Sequence, residues 1–366
     1  MKSTSLTYSK SGVNYQSIDP IKKIAQAAAL GTAKHLRNSG LREIEDSRGE
    51  SAYVWKQGRV YMAAVIEGLG TKNLVADAMR SITGKTYYDI VAHDTIASIV
   101  NDLVSVGAKP LVLHAYWAVG NSAWLLDAKR MKDLIKGWRQ ACDRAGVTWG
   151  GGETPTYPGI VNPQTIDLGG SAIGIIKHKK QLLTDKKLKA GDRILLLKSN
   201  GINTNGLSLA RAIGDKLPHG YATKLPSGKY YGEALLTKTN IYAKLIQDLF
   251  AAGVDIHYIS NITGHGLRKI MRARQQYTYV IEKIFKPPEI FLFMQRQANL
   301  SDYEMYQTFN MGMDYAIFLP KKHMNQALSV VKKNKYQALD AGYVERGDKQ
   351  VVIEPNTPFY EDECFL

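Results

Sequence analysis

What most constrains this chain is a set of three glycine-bearing turns, each set beside a strand-length apolar run. Val60 to Ile66 is apolar and runs into Glu67-Gly68-Leu69-Gly70-Thr71-Lys72. A helical pattern from Asp127 to Ala145, stopped at Gly146, precedes Gly150-Gly151-Gly152-Glu153-Thr154, and the strand-like run Ile166 to Ile176 follows. Arg193 to Lys198 leads into Ser199-Asn200-Gly201-Ile202-Asn203-Thr204-Asn205-Gly206, after which Leu207 to Ile213 has helical spacing and carries Ser208 and Arg211. Backbone without Cβ atoms can bring its N–H groups close to phosphate oxygens. A helix opening behind such a turn adds its positive end. The third turn fits this best, although any one of them alone reads equally as an ordinary strand-to-helix loop. None has the GxxxxGK[ST] spacing of a P-loop.

The remaining pattern alternates strands and helices. Ile21 to Leu36 reads as a helix with Asp19 as N-cap and Pro20 at its first position, and Asn38 to Gly58 as a mobile polar loop. Further helices are expected over 94–106, 240–252, 267–274, 287–297, 302–309 and 324–333, and strands over 110–118, 277–282, 315–319 and 351–353. The fold class is therefore α/β or α+β in two domains. The basic segment Lys177 to Asp192 marks the boundary, giving residues 1–176 and 177–366. A length of 366 residues and 45% hydrophobic content suit two packed cores. No apolar run reaches the roughly 18 residues of a membrane span, and the polar N-terminus lacks a secretory signal, so a cytoplasmic location is expected.

The net charge of +15 favours polyanionic partners. The short basic clusters at 177–180, 186–189 and 332–335 lack interleaved aromatics, so phosphorylated small molecules are expected and nucleic acid is not. Cys142 and Cys364 form no CxxC pair, and neither HExxH nor GxSxG occurs. The acidic residues by the turns are more informative. Glu67, Asp94, Asp102 and Glu153 each lie beside a turn or a predicted helix end. Magnesium with a polyphosphate takes one or two protein carboxylates plus phosphate oxygens, which Glu67 to Lys72 suits. Asp94 reads equally as a helix N-cap. A solvated helix face for Asp102 is at odds with the apolar Ile99, Val100, Leu103 and Val104 around it.

The order of these motifs resembles phosphoribosylformylglycinamidine cyclo-ligase, or AIR synthetase, over about Tyr8 to Ile353. Tyr8 to Val13 resembles the family's opening. Glu67 to Lys72 is similar to its DGVGTK, and Asn101-Asp102-Leu103 with Gly107 to Pro110 to its NDLxxxGAxP. Gly151 to Thr154 with Pro158-Gly159 is similar to GGETAEMPG, and Ser199 to Leu209 to SSGxHSNGxSL. Thr263 to Gly266 is similar to LTGGG, and Tyr306 to Gly312 to YRTFNxG. Sister families fit less well: Cys142 lies inside a predicted helix, and Cys364 is followed by Phe365 and Leu366.

The resemblance implies a homodimer whose N-terminal strands pair around a shared barrel, a separate C-terminal α/β domain, and no membrane association. It implies ATP and Mg2+ as cofactors and closure of formylglycinamidine ribonucleotide to 5-aminoimidazole ribonucleotide. Lys72, Asp102 and Glu153 would be catalytic, with Glu67, Asp102 and Glu153 on the metal. Gly68, Gly70, Thr71, Asp94, Asn101, Gly151, Gly152 and Thr154 would join Glu67 around ATP. Ser199, Gly201, Asn203, Thr204, Asn205, Gly206, Arg211 and Asn310 would hold the substrate. The chain departs from the family's residues at Gln26 (lysine), Glu67 (aspartate), Asn203 and Asn261 (histidines), and His265 and Asp314 (glycines). The stretch 46–53 lacks the family's glycine-rich clasp. These departures leave a second reading, a paralogue that binds a nucleotide or phosphorylated metabolite without this turnover.

Overall fold

The computed structural model describes residues 15–354; the Tyr8 to Val13 motif and Cys364 lie outside them. The strands are β1 (Arg42–Glu43), β2 (Tyr53–Gln57), β3 (Val60–Gly68), β4 (Lys109–Val119), β5 (Thr148–Glu153), β6 (Ile166–Ile176), β7 (Asp192–Lys198), β8 (Tyr258–Asn261), β9 (Tyr277–Ile281), β10 (Met313–Pro320), β11 (Ala338–Arg346) and β12 (Gln350–Ile353). They form two six-stranded sheets, ordered β1-β2-β3-β6-β4-β5 and β12-β9-β11-β7-β10-β8. Among the described strands only β4 with β5 and β12 with β9 pair in parallel, so the mixed α/β architecture is of the α+β kind.

The helices that position the site are α1 (Tyr15–Leu30), α2 (Lys72–Thr83), α3 (Tyr88–Ser105), α4 (Ala128–Ala145) and α5 (Leu207–Gly214). α3 begins six residues before the expected Asp94. Tyr88 and Val91 to His93 are buried, so this first turn and a half shows no amphipathic stripe for a sequence pattern to reveal. α3 lies against β3, β4 and β6 and also reaches β8, so it packs against both halves. Its buried polar groups are tied across to the chain segment at 239–242. His93 Nε2 is 2.8 Å from Thr239 O, Thr239 N donates to Asp94 (2.8 Å), and Asn101 donates to Asn240 O (2.8 Å) and accepts from Tyr242 N (3.0 Å). α4 follows the expected pattern: Asp127 caps it by accepting from Arg130 N (3.0 Å), and Gly146 ends it at φ 64°.

Four local expectations are corrected. α1 starts at Tyr15, so Pro20 sits in its second turn and not at its first position, and its ring leaves one helical hydrogen bond unmade there. The stretch 38–58 contains β1 and β2 and is not a loose loop. Residues 148–153 are a strand, because small residues let β5 lie close against β4: a Cβ on Gly152 would come within 2.2 Å of Ala115 O. The expected helix at 267–274 tightens to a 3-10 turn over Gly266–Met271.

Helices cover one face of the first sheet. On the other face Ile66 is 79% exposed and Ile173 37%, with Ala64, His114 and Tyr116 also turned to that side.

Candidate active site

A cleft of about 390 Å³ opens where the two halves meet. Its N-terminal wall is the end of β3 and the turn Glu67 to Thr71, with Ser98 and Asp102 one helical turn apart on α3. Its C-terminal wall is Thr204 to Ser208 together with Thr263, Lys269 and Arg272. Ser98 Oγ and Thr204 Oγ1 meet across it at 3.1 Å. Two helices point their N-termini into the space: α2, with Thr71 as N-cap, and α5, with Gly206 as N-cap. Neither cap has a side chain bonded over it, so backbone N–H groups and positive helix ends are left for an anion. Gly206 is required here. Its φ is 80°, and a Cβ would stand 2.4 Å from the Phe309 ring.

Two carboxylates face each other in this cleft. The Glu67 carboxyl hydrogen-bonds Asp102, and burial, reinforced by the Asp102 charge, pushes it up to about 8. Asn261 also donates to Asp102, at 2.8 Å. The Thr71 hydroxyl oxygen is buried and has no hydrogen-bond partner. Two carboxyl groups set side by side, with an orphaned hydroxyl on the same cleft wall, are a donor set suited to a hard divalent cation that also takes phosphate oxygens. Opposite them, burial and the neighbouring Arg272 pull the Lys269 amine down to about 8, against the attraction of Asp102 and Glu67.

Several expected site residues lie elsewhere. Lys72 is fully buried: it pairs with the equally buried Asp94 and donates to Asn203 O (3.0 Å) and Thr237 O (2.9 Å). Both therefore join the two halves and neither lines the cleft. Asn101 likewise spends its amide on Asn240 and Tyr242. Gly151, Gly152, Glu153 and Thr154 are exposed at the far edge of the first sheet, beside Ile66, His114 and Tyr116. The register Glu67↔Gly170, Gly170↔Ala115, Ala115↔Gly152 sets three strand spacings, about 14 Å, between Glu67 and this edge. Within one chain Glu153 does not join Asp102. Thr204, Asn205 and Gly206 line the cleft, whereas Ser199, Gly201 and Asn310 lock the turn from beneath: Asn310 and Ser199 both donate to Gly201 O (2.9 and 2.6 Å). Arg211 hydrogen-bonds Tyr221. Asn203 donates to Asp314 (3.1 Å), so two of the departures from the family pattern are partners of each other.

Comparison with known proteins bears directly on this arrangement. Residues 49–176 match the family described as AIR synthase related protein, N-terminal domain, and residues 189–354 its C-terminal domain. The phosphoribosylformylglycinamidine cyclo-ligase of Methanocaldococcus jannaschii is 32% identical over 341 residues, covering 93% of this chain and 92% of that protein. The chain belongs to the phosphoribosylformylglycinamidine cyclo-ligase family. The cyclo-ligase of Carboxydothermus hydrogenoformans is 34% identical over 293 residues, 78% of this chain and 81% of that protein. The crystal structure of hydrogenase maturation protein HypE shares the fold, with a TM-score of 0.61 at 16% identity over 84% of this chain and 90% of that one. The family's enzymes are ATP-dependent ligases, and the turns at 67–71 and 204–208 line the cleft of this chain.

Sequence reading missed part of the C-terminal wall and the strap across it. Arg272 donates to Gly49 O (2.6 and 3.0 Å) and to Ser51 Oγ (2.6 Å), and Tyr258 donates to Glu50 (2.8 Å). Lys186 and Arg274 both reach Asp46. The segment 46–51, where the clasp motif is missing, is thus pinned by second-half side chains and brings Glu50 and Ser51 to the cleft. Three basic residues within Arg268 to Arg272, directly after the Thr263 to Gly266 turn, were the signal available for Lys269 and Arg272.

Proposed function

We propose that this chain closes the imidazole ring of 5-aminoimidazole ribonucleotide from formylglycinamidine ribonucleotide, using ATP, in purine biosynthesis. The observation that carries this is the cleft in which the Glu67–Asp102 pair faces two open helix N-termini, in a chain of the cyclo-ligase family. An amide oxygen is a poor leaving group. The γ-phosphoryl group forms a P–O bond to the formyl amide oxygen as the bridging P–O bond breaks and ADP leaves. An internal nitrogen then attacks the activated carbon; the C–N bond forms, the C–O bond breaks, the nitrogen gives up a proton, and inorganic phosphate departs. Such a reaction asks the protein for alignment and charge neutralisation more than for covalent chemistry. The turn at 204–208 and the α5 N-terminus would orient phosphate oxygens by backbone N–H groups, and the strap at 46–51 would help keep water out. Glu67, Asp102 and the Thr71 hydroxyl fit magnesium, which would neutralise charge on the phosphoryl oxygens.

The same reading includes a homodimer, with an N-terminal half (1–176) that binds nucleotide and pairs with its partner, and a C-terminal half (177–366). The uncovered apolar face around Ile66 and Ile173 supports it. So does the exposed Glu153, which would serve the cleft of the other subunit. The family's role in purine biosynthesis supports a cytoplasmic location. The pairing of Asn203 with Asp314, and of Asn261 with Asp102, favours a site rebuilt by compensating changes over one that has decayed. The test is turnover of the purified chain with formylglycinamidine ribonucleotide and magnesium-ATP, reading ADP and aminoimidazole product. Nucleotide binding with no substrate-stimulated ADP release would replace this reading with the binding-only paralogue.

A further inference from the structure

We infer that Lys269, carried by the C-terminal wall, is the catalytic cation that meets the terminal phosphate of the nucleotide, a role the motif lysine Lys72 cannot fill. This rests on the reading of the cleft as the ATP site. Among the described residues two cationic side chains line the cleft, Lys269 and Arg272. Arg272 is already committed, its guanidinium donating to Gly49 O and Ser51 Oγ. Lys72 is committed more completely, with a buried carboxylate and two backbone carbonyls as partners and no exposed surface. Among the described residues the Lys269 amine makes neither a hydrogen bond nor an ion pair. Its backbone is held, since its carbonyl accepts from the Ser260 hydroxyl. The amine is therefore fixed at its root and free at its tip, beside the charges of Asp102 and Glu67.

The charges on the two walls call for a particular occupant. The carboxylate pair needs a cation, and the unpaired amine needs an anion. A metal-bound phosphate satisfies both, whereas a bare metal or a bare phosphate satisfies one and repels the other. Because Lys269 belongs to the second half and the carboxylates to the first, an occupied site would draw the two halves together. The Lys22 charge on α1 is also felt at Lys269, so the positive field on this side has an N-terminal contribution.

The competing explanation is that Lys269 only balances the two carboxylates and holds the fold. Lys269→Met, Lys269→Arg and the double variant Lys269→Met/Glu67→Gln separate the two. Binding is read by calorimetry with magnesium-ADP and with a magnesium-bound non-hydrolysable ATP analogue, folding by thermal melting, and turnover by ADP release. For Lys269→Met we expect the ATP analogue to bind about ten-fold or more weaker, ADP binding to change far less, and kcat to fall roughly 100-fold. The arginine variant should regain most of the analogue's affinity. The double variant should restore neither. Equal loss for ADP and the analogue, or recovery of binding when Glu67 is also neutralised, would overturn the assignment. Failure of the wild-type chain to turn over the ribonucleotide would remove the proposed function but leave the ADP-against-analogue comparison to decide Lys269.

Discussion

Replacing Lys72 with methionine distinguishes a phosphate-binding lysine from one that ties the molecule together. Lys72 and Asp94 are both completely buried, and Lys72 also satisfies Asn203 O and Thr237 O. In Lys72→Met the Asp94 carboxylate keeps only the Thr239 N–H (2.8 Å) as a named partner. Breaking a buried ion pair from one side costs about 3–5 kcal/mol. At about 2–4 °C per kcal/mol for a cooperative unit of roughly 150–250 residues, the melting temperature should fall by roughly 6–20 °C. Removing both partners, as Lys72→Met/Asp94→Leu, leaves no unpaired charge and should recover more than half of the loss. Nucleotide affinity at a temperature where each variant is folded should change little. The assay is thermal and urea unfolding of the wild type, both single variants and the double variant, with calorimetric nucleotide binding alongside. A variant that melts like the wild type yet loses ATP affinity would refute the structural role and return Lys72 to the phosphates.

Other expectations follow from the same geometry. Gly206→Ala places a methyl 2.4 Å from the Phe309 ring at φ 80° and should destabilise by about 2 kcal/mol or more; unfolding of Gly206→Ala/Phe309→Leu should show partial recovery. Burial pushes the Asp314 carboxyl up to about 6, partly opposed by its bonds from Tyr242 and Asn203. The folded state therefore holds a proton that the unfolded state releases above about 3.8. Its stabilising contribution is complete below that pH and is lost as pH rises through about 6. Urea midpoints between pH 4 and 7 should show this decline in the wild type and a flatter profile in Asp314→Asn; equal slopes would sink it. If Glu153 serves the partner's cleft, Asp102→Asn and Glu153→Gln should each be inactive as homodimers. Their mixed dimers should recover roughly a quarter of wild-type sites, half of the dimers carrying one intact site each. No recovery after verified subunit exchange would place both carboxylates in one chain's reaction.

Much of the fold is legible along the chain because local pattern and tertiary burial agree there. β7 and α4 announce themselves by the unbroken apolar run Ile194 to Leu197 and by a clear amphipathic stripe with an Asp cap and a Gly stop. Agreement fails where an element is buried all round, as α3 is over Val91 to His93, or exposed all along, as in β5, because neither leaves a periodic contrast between two faces. The turns at 67–71 and 204–206 could be nominated as phosphate cradles from glycine and short polar residues alone, and the structure brings both to one cleft.

By itself, the sequence determined the family motifs and the chemical types available to a site: glycines, carboxylates and hydroxyls state what they can bind wherever they end up. Only the tertiary structure decided which of them meet. Lys72 and Asp94 lie twenty-two positions apart and cancel each other in the interior, while Lys269 arrives from the far half of the chain to face Glu67 and Asp102. Charge complementarity in a buried space depends on distance through the fold, and that distance has no counterpart in separation along the chain.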